Sequence, residues 1–233
     1  MNKQSISTVI ACILSCNAYT GVYSGLNLGV NTVTVHKNLS YPLEESTLTS
    51  SSFNNAYTNF HGQIIAGYEL PWSAKFSTAL ELDADLFTGK SRYKIDEWFF
   101  NEDVDAEEQL EYGFSFFLLP TYQYNESARF FVGPGISGSR FAVNMNNTAG
   151  NVGVSANFKK WLIGGGLKAG AITKLTNNLD LLLTYQFTQY NSTERTQIEP
   201  LSDETLQGRY RPNVNTVLIG LRVHMPELAA KTK

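Results

Sequence analysis

Cysteine is nearly absent from the 233-residue chain: there are two, Cys12 and Cys16, both close to the first residue. A chain cleaved beyond them would have no thiol, no disulfide and no thiolate metal site. Beyond that segment no run of about 18 apolar residues occurs, which leaves no candidate for a transmembrane helix. Charge is sparse as well. Asp, Glu, Lys and Arg make up 17% of the residues with a net charge of -3, and no basic cluster is available to neutralise phosphates, so nucleic acid is excluded as a partner. Histidine is rarer still, at three residues. His36, His61 and His224 stand far apart, with none in a zinc-binding spacing such as H-E-x-x-H, and no compact Ser/His/acid set accompanies them. No catalytic residue, metal or cofactor is therefore expected, and the chain reads as a non-enzyme.

The first residues have the order of an export signal. Lys3 supplies positive charge, Ile6 to Leu14 an apolar stretch too short to span a bilayer, and Cys16 and Ala18 the small residues of a cleavage site. Residues 1–18 are expected to be a signal peptide, residues 19–225 one domain and residues 226–233 a short tail. A lipoprotein signal is the rival reading, with Ile13-Leu14-Ser15 before Cys16, although Leu14 is bulky for that purpose.

What the sequence has in quantity is Gly, Tyr and Phe, at 18, 12 and 14 residues, a composition suited to strands. About eight segments of about ten residues alternate with period two, the pattern of strands with lipid on one face and a lumen on the other. One is especially clear: Leu80, Leu82, Ala84 and Leu86 alternate with Ala79, Glu81, Asp83 and Asp85. Another sets Leu179, Leu181, Leu183 and Tyr185 against Asp180, Leu182, Thr184 and Gln186. Without water, backbone groups in a bilayer must pair among themselves, so membrane-spanning strands have to close into a barrel.

Connection lengths add to this. Short turns fall at residues 71–74, 125–128 and 174–178, and long polar connections at 36–58, 88–110, 142–157 and 191–213. Barrels of the outer membrane have short periplasmic turns and long extracellular loops, so both chain ends are expected on the periplasmic side. Phe60, Tyr68, Trp72, Phe76, Phe87, Tyr112, Tyr122, Phe158, Trp161, Tyr185 and Tyr190 are expected in the aromatic girdles. The fold class that follows is all-β: an eight-stranded antiparallel up-and-down transmembrane β-barrel.

The same alternation turns a set of charges inward. Glu69, Lys75, Glu81, Asp83, Asp85, Lys168, Asp180 and Arg222 are expected to share the lumen with His61 and His224. The interior of eight strands is just wide enough for side chains to fill it, and buried charges there must pair. A structural ion-pair network that plugs the lumen is one reading. The other is a gate, in which Lys168 or Arg222 exchanges partners and opens a narrow path. The acidic run of Asp96, Glu97, Glu102, Asp103, Asp105, Glu107 and Glu108 follows Lys90, Arg92 and Lys94 and reads as a solvated loop, since it lacks a calcium-loop spacing.

Tyr23-Ser24-Gly25-Leu26-Asn27-Leu28-Gly29, Phe131-Val132-Gly133-Pro134-Gly135-Ile136 and Val217-Leu218-Ile219-Gly220-Leu221-Arg222 resemble the first, fifth and last strands of the opacity-protein and OmpA-like small outer-membrane barrels. The resemblance covers nearly all of the expected mature chain. It departs at the end, where Met225 holds the last outward position in place of an aromatic residue. The resemblance implies a Gram-negative outer-membrane surface protein, a monomer in contact with membrane lipid and lipopolysaccharide. Its four long loops would present a structural or adhesive surface to a host or envelope ligand. A narrow porin-like pore is the alternative, and a lipid-modifying enzyme a more remote one.

Overall fold

A computed structural model describes residues 21–43, 47–99, 102–147, 155–198 and 205–225. The expected signal segment with Cys12 and Cys16, and the tail at 226–233, lie outside the described residues. Ten antiparallel strands follow in chain order: β1 (Gly21–Leu43), β2 (Thr47–Pro71), β3 (Phe76–Phe87), β4 (Ser91–Phe99), β5 (Glu102–Gln123), β6 (Ala128–Asn147), β7 (Ser155–Lys174), β8 (Leu179–Tyr190), β9 (Thr193–Ile198) and β10 (Thr205–His224). Eight of them form a ring in the order β1-β2-β3-β5-β6-β7-β8-β10, closed by pairing of β10 with β1 from Tyr23↔His224 to Ser40↔Gln207. Closure removes every sheet edge inside the membrane, as the solvent there requires. β4 pairs with β5, and β9 with β10, as continuations of β3 and β8 beyond short interruptions.

Each expected short turn is present. Asn125 Oδ1 accepts from the amides of Ser127 and Ala128, an Asx-type turn that a polar side chain can close locally. Ser73 Oγ does the same for Lys75 and Phe76.

The long connections differ from expectation: they are mostly strand. β1 and β2 pair continuously out to Leu43↔Thr47, and β5 and β6 out to Val104↔Asn147. A membrane-spanning strand needs about 9–11 residues, whereas β1 has 23 and β2 has 25, so about half of each stands outside the lipid. The physical reason they read as loops is a change of solvent around the barrel. On β1, Val22, Leu26, Leu28 and Val30 are exposed and Asn27 and Asn31 are buried; farther along, His36 and Asn38 are exposed while Val33 and Val35 are buried. The alternation persists, but its polarity inverts where lipid gives way to water.

The exposed apolar belt locates the membrane. Leu26, Ile64, Leu82, Phe114, Ile136, Ile163, Leu183 and Ile219 all point outward, each more than half exposed. Of the expected girdle, Phe60, Tyr68, Trp72, Phe76, Tyr112, Tyr122, Trp161 and Tyr185 are exposed. Phe87 and Tyr190 are instead buried, and Phe158 packs beside them, inside the part of the barrel that rises above the belt. A one-residue shift on β5, between Leu110 and Gly113, brings both of those residues to face inward. That bulge keeps the apolar interior aligned across the solvent boundary.

Candidate functional site

The lumen is filled in layers. At the end carrying the short turns, Asp180 Oδ2 accepts from Arg129 at 2.6 Å and Arg222 at 2.8 Å, and lies 2.8 Å from His224 Nε2. Arg129 also donates to both oxygens of Glu69, which accepts a further bond from Ser77. Outside this cluster a cavity of about 330 Å³ opens between the turns.

Above the mouth lies an apolar cluster of Tyr23, Ile65, Ala79, Phe117, Leu119, Phe131, Ile172 and Leu182. The Arg222 guanidinium stacks 4.5 Å over the Tyr23 ring, tying the two layers together. Tyr23 can lie across the lumen because Gly67 has no side chain: a Cβ there would overlap its ring. Its hydroxyl then donates to Glu81 at 2.7 Å.

Glu81 begins the central lattice. Lys168 Nζ stands 2.7 Å from Glu81 and 2.7 Å from Asp83, with the Phe117 ring on another side. Gln63 donates to Asp83, Asp85 and Gln186, and accepts from Asn27. Asp85 accepts from Ser115 and lies 2.9 Å from His61 Nε2. Every one of these side chains is buried. Both amide atoms of Asn31, with Asn59 Nδ2 and His61 Nδ1, find no protein partner at the upper edge of the lattice.

A second apolar cluster closes the lumen above it: Val33, Val35, Phe87, Ala106, Leu110, Phe141, Val143, Leu162, Tyr190, Tyr210 and Val214. His61 leans on Phe87, centroids 4.7 Å apart, and Tyr190 bonds Ser139, so this cluster grows out of the lattice. Within it one ion pair is wholly enclosed. Lys37 Nζ lies 2.7 Å from Glu108, which also accepts from the Tyr93 hydroxyl, and the ammonium sits 3.5 Å over the Tyr93 ring. Burial pulls the Lys37 ammonium down to about 8 and pushes the Glu108 carboxyl up. The Tyr93 hydroxyl is also pushed up, by burial first and by the charge of Glu108 second. On the outer wall, by contrast, Glu107 is held low, chiefly by a hydrogen bond from Lys90 and then by Arg92.

Seven of the eight residues expected in the lumen network occupy it. Lys75 does not: it lies exposed in the turn before β3, at the rim of the cavity between the short turns. The turn begins where the strand alternation ends, so the parity that aims Glu81 inward does not extend back to it. Sequence reasoning passed over Arg129 and Lys37. Both were within reach of it, since Arg129 has the parity of inward Phe131 and Gly133, and Lys37 that of Val33 and Val35. Of the acidic run, Glu108 is buried inside the wall and Glu107 lies outside it, whereas the side chains of Asp96, Glu97, Glu102 and Asp103 lie outside the described residues. Among the described residues no group of His, Cys, Asp and Glu could hold a metal ion.

Among solved structures, the chain is similar to the outer membrane protein OprG from Pseudomonas aeruginosa at 12% identity, over 89% of this chain and 99% of that one, with a TM-score of 0.54. It is also similar to Ail, the attachment invasion locus protein of Yersinia pestis, at 9% identity over 84% of this chain and 99% of that one, TM-score 0.38. For the outer membrane protease OmpT from Escherichia coli the values are 10%, 88%, 97% and 0.47. No curated protein matches the sequence. The model of the outer membrane protein beta-barrel domain matches residues 8–224. With that match spanning the closed ring, its apolar belt and its filled lumen, the chain belongs to the family of outer-membrane proteins built on a β-barrel domain.

Proposed function

We propose that this protein is a non-enzymatic anchor of the outer membrane whose barrel wall, raised beyond the lipid, is its recognition surface. The observation that carries this reading is the filling of the lumen by two apolar clusters with an ion-paired lattice between them. Buried charges that already hold good partners have little to gain by exchanging them, and apolar layers exclude the water an ion would need. Function then belongs on the outside, at the ends of strands held rigid by pairing. The expected eight-stranded barrel acts as a monomer, since ring closure leaves no strand edge within the membrane free to pair with a second copy. Its partners are membrane lipid and lipopolysaccharide around the wall and a host or envelope ligand at the extracellular end. Export by the segment at 1–18 belongs to the same reading.

Planar-bilayer recording of the refolded protein tests it. The anchor predicts a silent membrane at any voltage the bilayer tolerates; single-channel steps would replace it with the narrow pore. The unpartnered amide of Asn31 and the free Nδ1 of His61 are where a water file would enter such a path, so steps altered by His61→Phe would identify it.

A further inference from the structure

We propose that the free edge of β7 above the lipid is a docking site for an extended peptide of another protein, added to the wall as one more strand with a carboxylate set against Lys160. The proposal deepens the recognition reading and rests on the raised wall standing in water. Inside the membrane each strand of the ring has two neighbours. Above it the ring is interrupted twice, because β4 pairs only with β5 and β9 only with β10. The first gap, between β2 and β4, is filled by side chains. Phe53 meets Tyr93 edge-on at 6.0 Å between centroids, the Tyr57 hydroxyl accepts from the Leu110 amide, and Asn59 occupies the space where a Cβ at Gly89 would stand. The second gap, between β7 and β9, holds no comparable bridge among the described side chains.

The last rung on that side of β7 runs from the Asn191 amide to the Ile163 carbonyl at 2.8 Å. An antiparallel strand turns the N–H and C=O of every second residue the same way, so Trp161, Lys159 and Asn157 aim theirs into the gap while Phe158 and Lys160 direct theirs to β6. Unpaired backbone of this kind is a template for a further strand. Lys160 shows that the gap is open. Its register partner is the wholly buried Phe141, which gives it the inward parity of Leu162, yet it is exposed. Phe158, farther from the membrane on the same inner side, packs on Phe141 and Tyr210, 6.4 and 5.6 Å between centroids, and covers it from above. Solvent therefore reaches Lys160 sideways, between β7 and β9. Its ammonium has no partner among the described residues, whereas Lys159 on the outer face is already paired with Glu111. A peptide in the place that β8 vacates runs antiparallel to β7, with one inward side chain opposite Lys160 and the next opposite Phe158. The chemistry thus selects an extended segment with an acidic residue followed, two positions on, by an apolar one.

The test uses the refolded barrel in phosphatidylcholine nanodiscs and a fluorescent, capped peptide of alternating valine and threonine, with one central valine replaced by aspartate. Anisotropy reads binding, and amide hydrogen exchange followed by NMR reads its place. Saturable binding is expected, with the amides of Asn157, Lys159 and Trp161 slowed and those of Phe158 and Lys160 unchanged. Methylating the peptide nitrogens that face β7 should weaken binding by more than about ten-fold, as the loss of two or more main-chain hydrogen bonds implies. Lys160→Glu should reverse the preference between this peptide and one with lysine in place of the aspartate. Lys159→Pro removes an amide that pairs with no strand in the free protein, so it should keep the heat-modifiable migration and abolish binding, while Lys159→Gln retains it. The methylated peptide and Lys160→Glu decide the question if Lys159→Pro does not fold. No saturable binding, protection elsewhere on the barrel, equal affinity of the methylated peptide, binding by a folded Lys159→Pro, or an unchanged preference in Lys160→Glu would each overturn the proposal. Slowing of the same three amides in the protein alone as its concentration rises would also overturn it, and would give the edge to a second copy. None of these outcomes depends on whether the lumen conducts.

Discussion

Lys37 and Glu108 form an ion pair of 2.7 Å with no solvent exposure of either side chain, inside a part of the barrel that stands above the lipid. Apolar side chains pack around them, with the Tyr93 hydroxyl on Glu108 and the side-chain amide oxygen of Asn55 3.0 Å from the Lys37 ammonium. Burial acts on both partners in the direction of neutrality, lowering the base and raising the acid. The pair is thus held in place by mutual compensation rather than by a surplus of attraction.

A double-mutant cycle on this pair should therefore show strong asymmetry. Lys37→Met alone or Glu108→Leu alone leaves one uncompensated buried charge and is expected to cost about 3–5 kcal/mol. The double variant should be close to the parent or more stable. Urea unfolding in detergent micelles, followed by the heat-modifiable shift in gel migration, checks all four corners. A double variant as damaged as either single one would contradict the compensation argument.

The same pair sets a pH dependence. Folded Lys37 titrates near 8, below its ordinary 10.5, so between these values the unfolded chain holds a proton that the folded one has released. Stability then rises with pH in that window. Relative to the Lys37→Met/Glu108→Leu variant, the parent should gain stability between pH 8 and 10, by up to about 3 kcal/mol if the full shift were expressed. Glu108 runs the other way. Its raised carboxyl makes the folded state the one that holds the extra proton, so the parent also gains as pH falls toward the ordinary carboxylate range. The parent-minus-variant difference should pass through a minimum near neutrality, and a curve with a maximum there would reverse the assignment of both shifts.

In the central lattice Lys168 serves two carboxylates at once, Glu81 and Asp83. Lys168→Met should be among the most damaging single changes in the barrel, at about 3–5 kcal/mol. Lys75→Gln, in the exposed turn, should fall within about 0.5 kcal/mol of the parent. Measured by the same urea titration, the two separate a lysine inside the lumen from one that merely neighbours it in sequence.

Why one lysine was readable and the other was not comes down to what enforces the alternation. Lipid compels Leu80, Leu82 and Leu86 outward, so Glu81, Asp83 and Asp85 had to turn inward, and the structure places them there. Membership of the barrel family, strand number and turns followed from the same compulsion. Above the lipid that compulsion ends. Thr32, Thr34 and His36 face water while Val33 and Val35 face the interior, and a scan for outward apolar residues sees only polar sequence. Phe87 and Tyr190 were misassigned for the same reason: an aromatic residue at the end of a lipid-facing run can belong to the interface or, one residue on, to the core above it.

Sidedness can be checked on intact cells. Asn144→Cys lies on the wall above the belt and Glu126→Cys in a short turn at the opposite end. A membrane-impermeant maleimide should label the first in whole cells and the second only after lysis. The reverse pattern would invert the barrel.

The belt's upper limit is open to measurement on a single strand face. Leu26 and Thr34 lie on the same outward face of β1, separated by an even number of residues, so no change of register distinguishes them. Leu26 is 53% exposed in the middle of the run from Val22 to Val30, whereas Thr34 stands between Thr32 and His36 on the same face, paired with Asn213 and Ala56 on the adjoining strands. An outward Arg near the bilayer midplane costs about 2–4 kcal/mol, falling to about 0–1 kcal/mol toward the interfaces. Leu26→Arg should therefore impair folding into phosphatidylcholine vesicles strongly, and Thr34→Arg hardly at all. A comparison across the wall, such as Leu82→Arg with the buried Thr184→Arg, would confound lipid exposure with overpacking, because the lumen is already full. With both substitutions on one outward face, only the surrounding solvent differs. Equal costs at the two sites would mean that lipid extends past Thr34, and that Val33 and Val35 pack inside a membrane-embedded wall rather than one raised into water.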